Sequence, residues 1–264
     1  MKTFGAGLCF FLISTIASTA ADAPGQAEDY PELPEQSRWD FVVVPYLLAP
    51  TIQGDTKIGR LPGVDLNVSP GTIFENLKFG AMGHFEVLYD RRFGATLDIA
   101  YMNLGAGTTF PRTGGQVKTG LKQAVTEGFL GYRFWQDERA WAEAYAGGRW
   151  WYNKIDVKTS GGIFNVDREL TESWVDPVIG VRGQMFVAEK WSLFGSGNIG
   201  GFGLVSDFTW GAQGGVGYHF KDNLALHLQY KATGVDYDNG KTGTNAFAYD
   251  TITHGPMMGL AFSF

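Results

Sequence analysis

Met257-Met258-Gly259-Leu260-Ala261-Phe262-Ser263-Phe264 closes the chain. Leu260, Phe262 and Phe264 alternate with smaller residues, the two-residue period of a strand that shows different faces to different surroundings. Three large apolar groups on one face of a terminal strand need a cover that a fraying chain end does not supply. A barrel set in hydrocarbon supplies it, because its outward face meets lipid and its last strand closes on its first. If that is the fold, the same alternation has to run back through the chain.

It does, from Lys78 onward. Phe79, Ala81, Phe85, Val87 and Tyr89 share one face and Lys78, Met82, His84 and Glu86 the other; Asp90-Arg91-Arg92 turns the chain into Ala95, Leu97, Ile99 and Tyr101 opposite Thr96, Asp98 and Met102. Leu130, Tyr132 and Phe134 then oppose Gln123, Glu127 and Arg133, and Ala144, Ala146, Trp150 and Tyr152 oppose Glu143, Tyr145, Arg149, Trp151 and Asn153. Val175, Ile179, Val181 and Met185 oppose Trp174, Asp176, Arg182 and Gln184, and the rows of Leu193 and Ile199, of Trp210 and Tyr218, and of Leu226, Leu228 and Tyr230 complete the series. The apolar rows carry almost no charge over the roughly 9 to 11 residues a tilted membrane strand needs. The opposite rows mix unlike charges that a soluble core would not accept. The pattern predicts an all-β fold, an antiparallel up-and-down transmembrane β-barrel of about ten strands, with eight or twelve as the alternatives. Trp39 to Leu47 is the partner expected for the last strand. Thr51 to Leu77 reads as a long loop with one helical turn, capped by Ser69 with Pro70 behind it. Trp39, Tyr89, Tyr132, Phe134, Trp191, Tyr218 and Phe220 abut the short turns and trace one interfacial girdle, on the periplasmic side.

The other terminus speaks to the compartment. Lys2, the apolar run Leu8 to Ile13 and the small residues Ser18-Thr19-Ala20 have the form of a secretory signal peptide over 1–20. Residues 21–38, acidic and broken by three prolines, read as a flexible periplasmic tail, leaving 39–264 as the barrel domain. The single cysteine, Cys9, lies inside the signal, so cleavage would leave no thiol for a disulfide, a nucleophile or a zinc site. The whole chain has 21 basic and 27 acidic residues, a net charge of -6, which argues against nucleic acid as a partner. No cofactor or metal is expected, since His219 and His227 lack ligand spacing.

Chemistry, if any, belongs to the inner face. Across the hairpin centred near Gly162, one register brings Arg149 opposite Asp176 and Glu143 opposite Arg182, which predicts two ion pairs. Around Arg91, His84 meets Asp98; around Asp222, Gln213 meets Lys231. Such pairs contribute only a few tenths to about 1 kcal/mol when exposed, whereas one charge stranded inside costs roughly 3 to 5 kcal/mol. The expected lumen is therefore a charge network of His84, Glu86, Asp98, Glu127, Arg133, Glu143, Arg149, Asp176, Arg182 and Lys231. It either plugs the barrel as a structural element or lines a narrow path for a small solute. An outer-rim enzyme, protease-like or lipid A-modifying, is the alternative of another class, with Asp250 and His254 as its nearest candidates; on a strand they stand about 13 Å apart, too far for a dyad, so no catalytic residue is assigned. A surface interaction or adhesion protein acting through Thr51–Leu77, Gly105–Gly115 and Asp238–Asn245 is the third, although those segments are poor in large apolar anchors.

From about Trp39 to Phe264 the chain resembles a family of uncharacterised bacterial outer-membrane β-barrel proteins. The resemblance is carried by Leu77-Lys78-Phe79-Gly80-Ala81-Met82-Gly83-His84-Phe85-Glu86, Trp174-Val175-Asp176-Pro177-Val178-Ile179-Gly180, Gly200-Gly201-Phe202-Gly203 with Ser206-Asp207-Phe208-Thr209-Trp210, and His254-Gly255-Pro256. More loosely it is similar to the small OmpA-like and OmpW-like barrels. The end itself, Gly259, Leu260, Phe262 and Phe264, resembles the assembly signal of outer-membrane barrels. These resemblances imply the outer membrane as location, its lipid and the barrel assembly machinery as partners, and no assigned activity.

Overall fold

The computed structural model describes residues 38–60, 63–109, 116–160 and 166–264. The signal peptide, the tail up to Ser37, the loop before Gly115 and the turn at Gly161-Gly162 lie outside the described residues. The elements are β1 (Trp39–Leu48), β2 (Thr51–Ile58), β3 (Val64–Val68), α1 (Pro70–Asn76), β4 (Leu77–Tyr89), β5 (Phe93–Thr109), β6 (Gln116–Gln136), β7 (Ala140–Ser160), β8 (Val166–Ala188), β9 (Trp191–Gly200), β10 (Phe208–Lys221), β11 (Leu224–Asp238) and β12 (Phe247–Ser263). A short 3-10 turn, Gly243–Asn245, precedes β12.

Ten of these strands close a barrel in the order β1-β4-β5-β6-β7-β8-β9-β10-β11-β12, and β1 pairs back onto β12 from Val42↔Ser263 to Leu48↔Met257. This is the up-and-down barrel and the terminal pairing that the alternation predicts. Closure gives each of the ten wall strands a neighbour on both sides, which removes most of the open edge from a sheet whose outside is apolar. Phe264 seals the joint through its backbone: its N–H donates to Phe41 O at 2.9 Å and its carbonyl accepts from Phe41 N–H at 3.2 Å. Gly259 lets β1 lie flat here, since a Cβ would stand 2.8 Å from Val44 Cγ1.

Burial is inside out relative to a soluble protein. Leu130 is 72% exposed and Val181 57%, whereas Arg149 and Asp176 are 0% exposed. Only hydrocarbon outside and a satisfied polar network inside make that distribution stable. The turn end carries a ring of aromatic pairs, Trp39–Tyr89 at 4.8 Å, Phe93–Tyr132 at 5.3 Å and Trp191–Tyr218 at 4.9 Å between centroids. A second row, Phe79–Tyr101 and Trp150–Tyr152, lies toward the long hairpins. Phe93 and Tyr101 are eight residues apart on β5, about 26 Å along the strand and about 20 Å along the barrel normal after a 40° tilt, close to the height of a membrane band. Among the described residues no helix is long and apolar enough to cross a membrane.

The link from β1 to β4 corrects the sequence reading. Ser69 caps α1, accepting from Thr72 N–H at 3.3 Å, with Pro70 opening the helix as expected. The rest of Thr51–Leu77 is not a loop: β2 and β3 form a hairpin that continues the sheet along β12, from His254↔Thr51 to Phe247↔Ile58. Its apolar residues are few and face inward, so it lacks the lipid-facing row that marks the other strands. Likewise Gly105 falls within β5 and Asp238 within β11, because these strands run past the membrane band. The wall is uneven as a result. β1 pairs with β4 only from Trp39↔Tyr89 to Pro45↔Gly83. Beyond Gly83 the space between the β2–β3 hairpin and β4 is filled by Ile73 of α1, packed with Ile52 and Met102, without a ladder.

Candidate functional site

The inward residues of all ten wall strands meet in three layers. Nearest the turn end, Glu86 of β4 takes Arg182 of β8 at 2.9 Å and Arg133 of β6 at 3.3 Å. Glu143 of β7 takes the same two guanidinium groups, at 2.7 Å and 3.6 Å. Both cations also stand over the Trp141 ring, at 4.2 Å for Arg133 and 5.6 Å for Arg182. Two cations and two carboxylates thus share every charge twice, which is what a buried ion set requires to repay its desolvation.

His84 links this layer to the next, 3.7 Å from Glu86 and 3.3 Å from Asp98. Asp98 and Glu127 are directly opposite each other on β5 and β6, a like-charge pair that is unstable alone. Lys231 resolves it from the far wall, reaching both carboxylates at 3.2 Å, while Tyr46 donates to Asp98 at 2.8 Å. Arg149 completes the layer. It pairs with Glu127 at 2.6 Å and donates to Thr209 Oγ1 at 2.7 Å and Asn198 Oδ1 at 2.8 Å, tying β7 to β6, β10 and β9. Gly211 leaves room for these two side chains: a Cβ there would stand 2.8 Å from Asn198 Oδ1 and 2.9 Å from Arg149 Nη2.

The third layer is aromatic. Trp174 stacks on Tyr237 with centroids 3.8 Å apart, Trp151 lies 5.8 Å from Trp174, and Phe247 and Tyr249 extend the cluster from β12. Asp176 belongs here. Its carboxylate accepts from Trp151 Nε1, Trp174 Nε1, Ser206 N–H and Ser206 Oγ at 2.8 to 3.2 Å. The structure therefore overturns the predicted Arg149–Asp176 ion pair: the two residues are opposite in register, but Arg149 turns to Glu127 on its other neighbour. Glu143 and Arg182 do pair as the register predicts, and Gln213 faces Lys231 without holding its ammonium.

Nine of the ten residues expected in the lumen network are linked within the first two layers; Asp176 is satisfied separately. Sequence reading missed Lys231 as a cross-lumen residue and Tyr237, Phe247 and Tyr249 as a stack. The register of the β6–β7 hairpin, which sets Glu127 opposite Arg149 and Arg133 opposite Glu143, was the available signal for the Arg149–Glu127 pair. Cavities flank the network: about 240 Å³ at the turn end, about 50 Å³ beside Arg149 and about 300 Å³ at the hairpin end. Among the described residues no three His, Cys, Asp or Glu side chains converge as metal ligands. Leu260, Phe262 and Phe264 point outward, and Asp250 is exposed, while the His254 Nδ1 contacts Tyr230 Oη at 2.5 Å.

No protein-family model matches the chain, and no curated protein matches it. Solved structures do. Ail, the attachment invasion locus protein of Yersinia pestis, is 11% identical over 86% of this chain and 98% of its own, with a TM-score of 0.40. The neisserial surface protein NspA is 13% identical over 85% and 97%, with a TM-score of 0.30. The Ralstonia pickettii toluene transporter TbuX is 11% identical over 85% and 88%, with a TM-score of 0.36.

Proposed function

We propose that this chain is exported, loses residues 1–20 and resides in the bacterial outer membrane as a closed barrel with a structural role, its turn end toward the periplasm. One observation carries the reading. Lys231 on β11 reaches Asp98 and Glu127 on β5 and β6, near the opposite wall, while Arg149 ties three further strands together at the same level. A solute crossing the lumen would have to strand several charges and then part the Trp174–Tyr237 stack. The test is conductance of the purified protein in planar bilayers: none is expected, and steady unitary currents from the wild type would overturn the closed reading.

A gated narrow passage is the second reading. It is favoured by the turn-end cavity, which reaches His84, Asp98 and Arg182, residues that also line the small space beside Arg149. In that reading Arg182→Ala alters conductance, and an unaltered record would sink it. The proposal includes no catalysis. Lipid A from cells lacking the protein should have an unchanged mass spectrum.

A further inference from the structure

The hairpin end of the barrel is apolar where the lumen below it is charged. Its cavity of about 300 Å³ lies between the β2–β3 hairpin with α1 and the wall of β5, β6 and β7, and is lined chiefly by Ile52, Ile58, Leu66, Leu121, Ile155 and Phe247. An apolar cavity of about 150 Å³ holds a benzene, and small-molecule pockets begin near 300 Å³. The β2–β3 hairpin, with α1, gives this space one of its sides. It contributes nothing to closure of the ten-stranded wall, yet it turns Ile52, Ile58 and Leu66 toward the mouth. Short turns join β4 to β5, β6 to β7, β8 to β9 and β10 to β11 without such an addition.

The floor holds an unmet donor. Asn153 is 2% exposed; its Oδ1 accepts from Gln123 Nε2 at 2.9 Å, and that same nitrogen donates to Tyr249 Oη at 2.9 Å. With its oxygen set toward the Gln123 donor, the Asn153 amide leaves Nδ2 buried without a partner. Among the described residues none that lines the cavity is charged. An apolar chamber with one free amide donor selects an uncharged ligand with one acceptor: a hydrocarbon leaves the donor unmet, and a carboxylate finds no cation. We propose that this cavity binds a small, mainly apolar molecule bearing one neutral acceptor oxygen, of the aryl or alkyl ketone class, with that oxygen on Asn153. The proposal stands apart from the state of the lumen, since the aromatic layer separates the two.

Fluorine NMR on the full barrel in nanodiscs tests it, with 4-fluoroacetophenone and 1-ethyl-4-fluorobenzene as probes and empty nanodiscs to subtract partitioning. The wild type should bind both and prefer the ketone about 3- to 10-fold, the worth of one neutral hydrogen bond. Asn153→Ala should erase that preference while retaining the hydrocarbon. Ala106→Trp, at an exposed lining position, should abolish both, with heat-shifted electrophoretic mobility confirming a folded barrel. Absence of saturable binding in the wild type, full binding by Ala106→Trp, or a preference unchanged in Asn153→Ala each overturns the proposal; if Ala106→Trp fails to fold, the wild-type and Asn153→Ala comparison decides alone.

Discussion

Arg149→Met is the sharpest probe of the lumen, because it keeps the apolar stem and deletes the charge. Glu127, 6% exposed, would lose its partner at 2.6 Å and retain only Lys231 at 3.2 Å. Removing one member of a buried pair costs roughly 3 to 5 kcal/mol. The lower end applies here, since Lys231 remains and both neutral side chains keep a bond they donate, Thr209 Oγ1 to Gly234 O and Asn198 Nδ2 to Tyr145 Oη, so that Asn198 Oδ1 loses its donor without a charge being stranded. About 3 kcal/mol corresponds to roughly a hundredfold shift in the folding equilibrium. Reversible urea unfolding in vesicles, followed by tryptophan fluorescence, measures it. Adding Glu127→Gln should recover about 2 kcal/mol of the loss, because the stranded charge is then gone. A single-variant cost under about 1 kcal/mol, or strictly additive costs in the double variant, would refute the idea that these two groups depend on each other.

Other outcomes follow from the same geometry. Trp174→Ala alone should leave the bilayer current at zero and Trp174→Ala with Arg149→Ala and Lys231→Ala should open it, since the aromatic layer and the charged layer beneath it block the lumen in series; current from any single variant would contradict this. Gly180→Ala should destabilise by about 1 to 3 kcal/mol in the urea assay, because a Cβ would stand 2.6 Å from the Tyr145 ring and from Gly197 O. Phe264→Ser should lower the amount of assembled protein in membranes more than the stability of what does assemble, as its side chain is 76% exposed while its backbone closes the joint; normal membrane levels would count against it. Asp250→Asn should stabilise the barrel at low salt, with the gain shrinking at high salt, because Asp250 lies opposite both Asp236 and Asp55.

The lipid-facing rows, the closing pair and the strand registers were legible because a barrel wall is built from nearest neighbours with a two-residue period, and a sequence records both. The destinations of long side chains were not. Arg149 faces Asp176 on one neighbour and Glu127 on the other, and register alone cannot rank them. What decides is that Asp176 already accepts four hydrogen bonds and Glu127 needs a cation against Asp98. Lys231 was hidden for a different reason: it acts across the lumen, a distance fixed only once the barrel closes. The β2–β3 hairpin was missed because its apolar residues point into the mouth, so they never form the outward row that announced the other strands.

The short pairing of β1 bears on how the barrel comes apart and goes together. β6, β7 and β8 hold each other along ladders that run from Gln116↔Ser160 to Gln136↔Trp141 and from Thr159↔Val166 to Ala140↔Met185. β1 is held by a few rungs on each side, and proline at position 45 removes one donor from its row. Opening there breaks the fewest hydrogen bonds, so amide exchange in a native barrel should start in β1 and along the unladdered part of β4, and reach β7 last. The hoop has a weakest stave. In assembly the same stave is the natural last one to be set, zipping the N-terminal strand onto an already curved sheet from Trp39 upward.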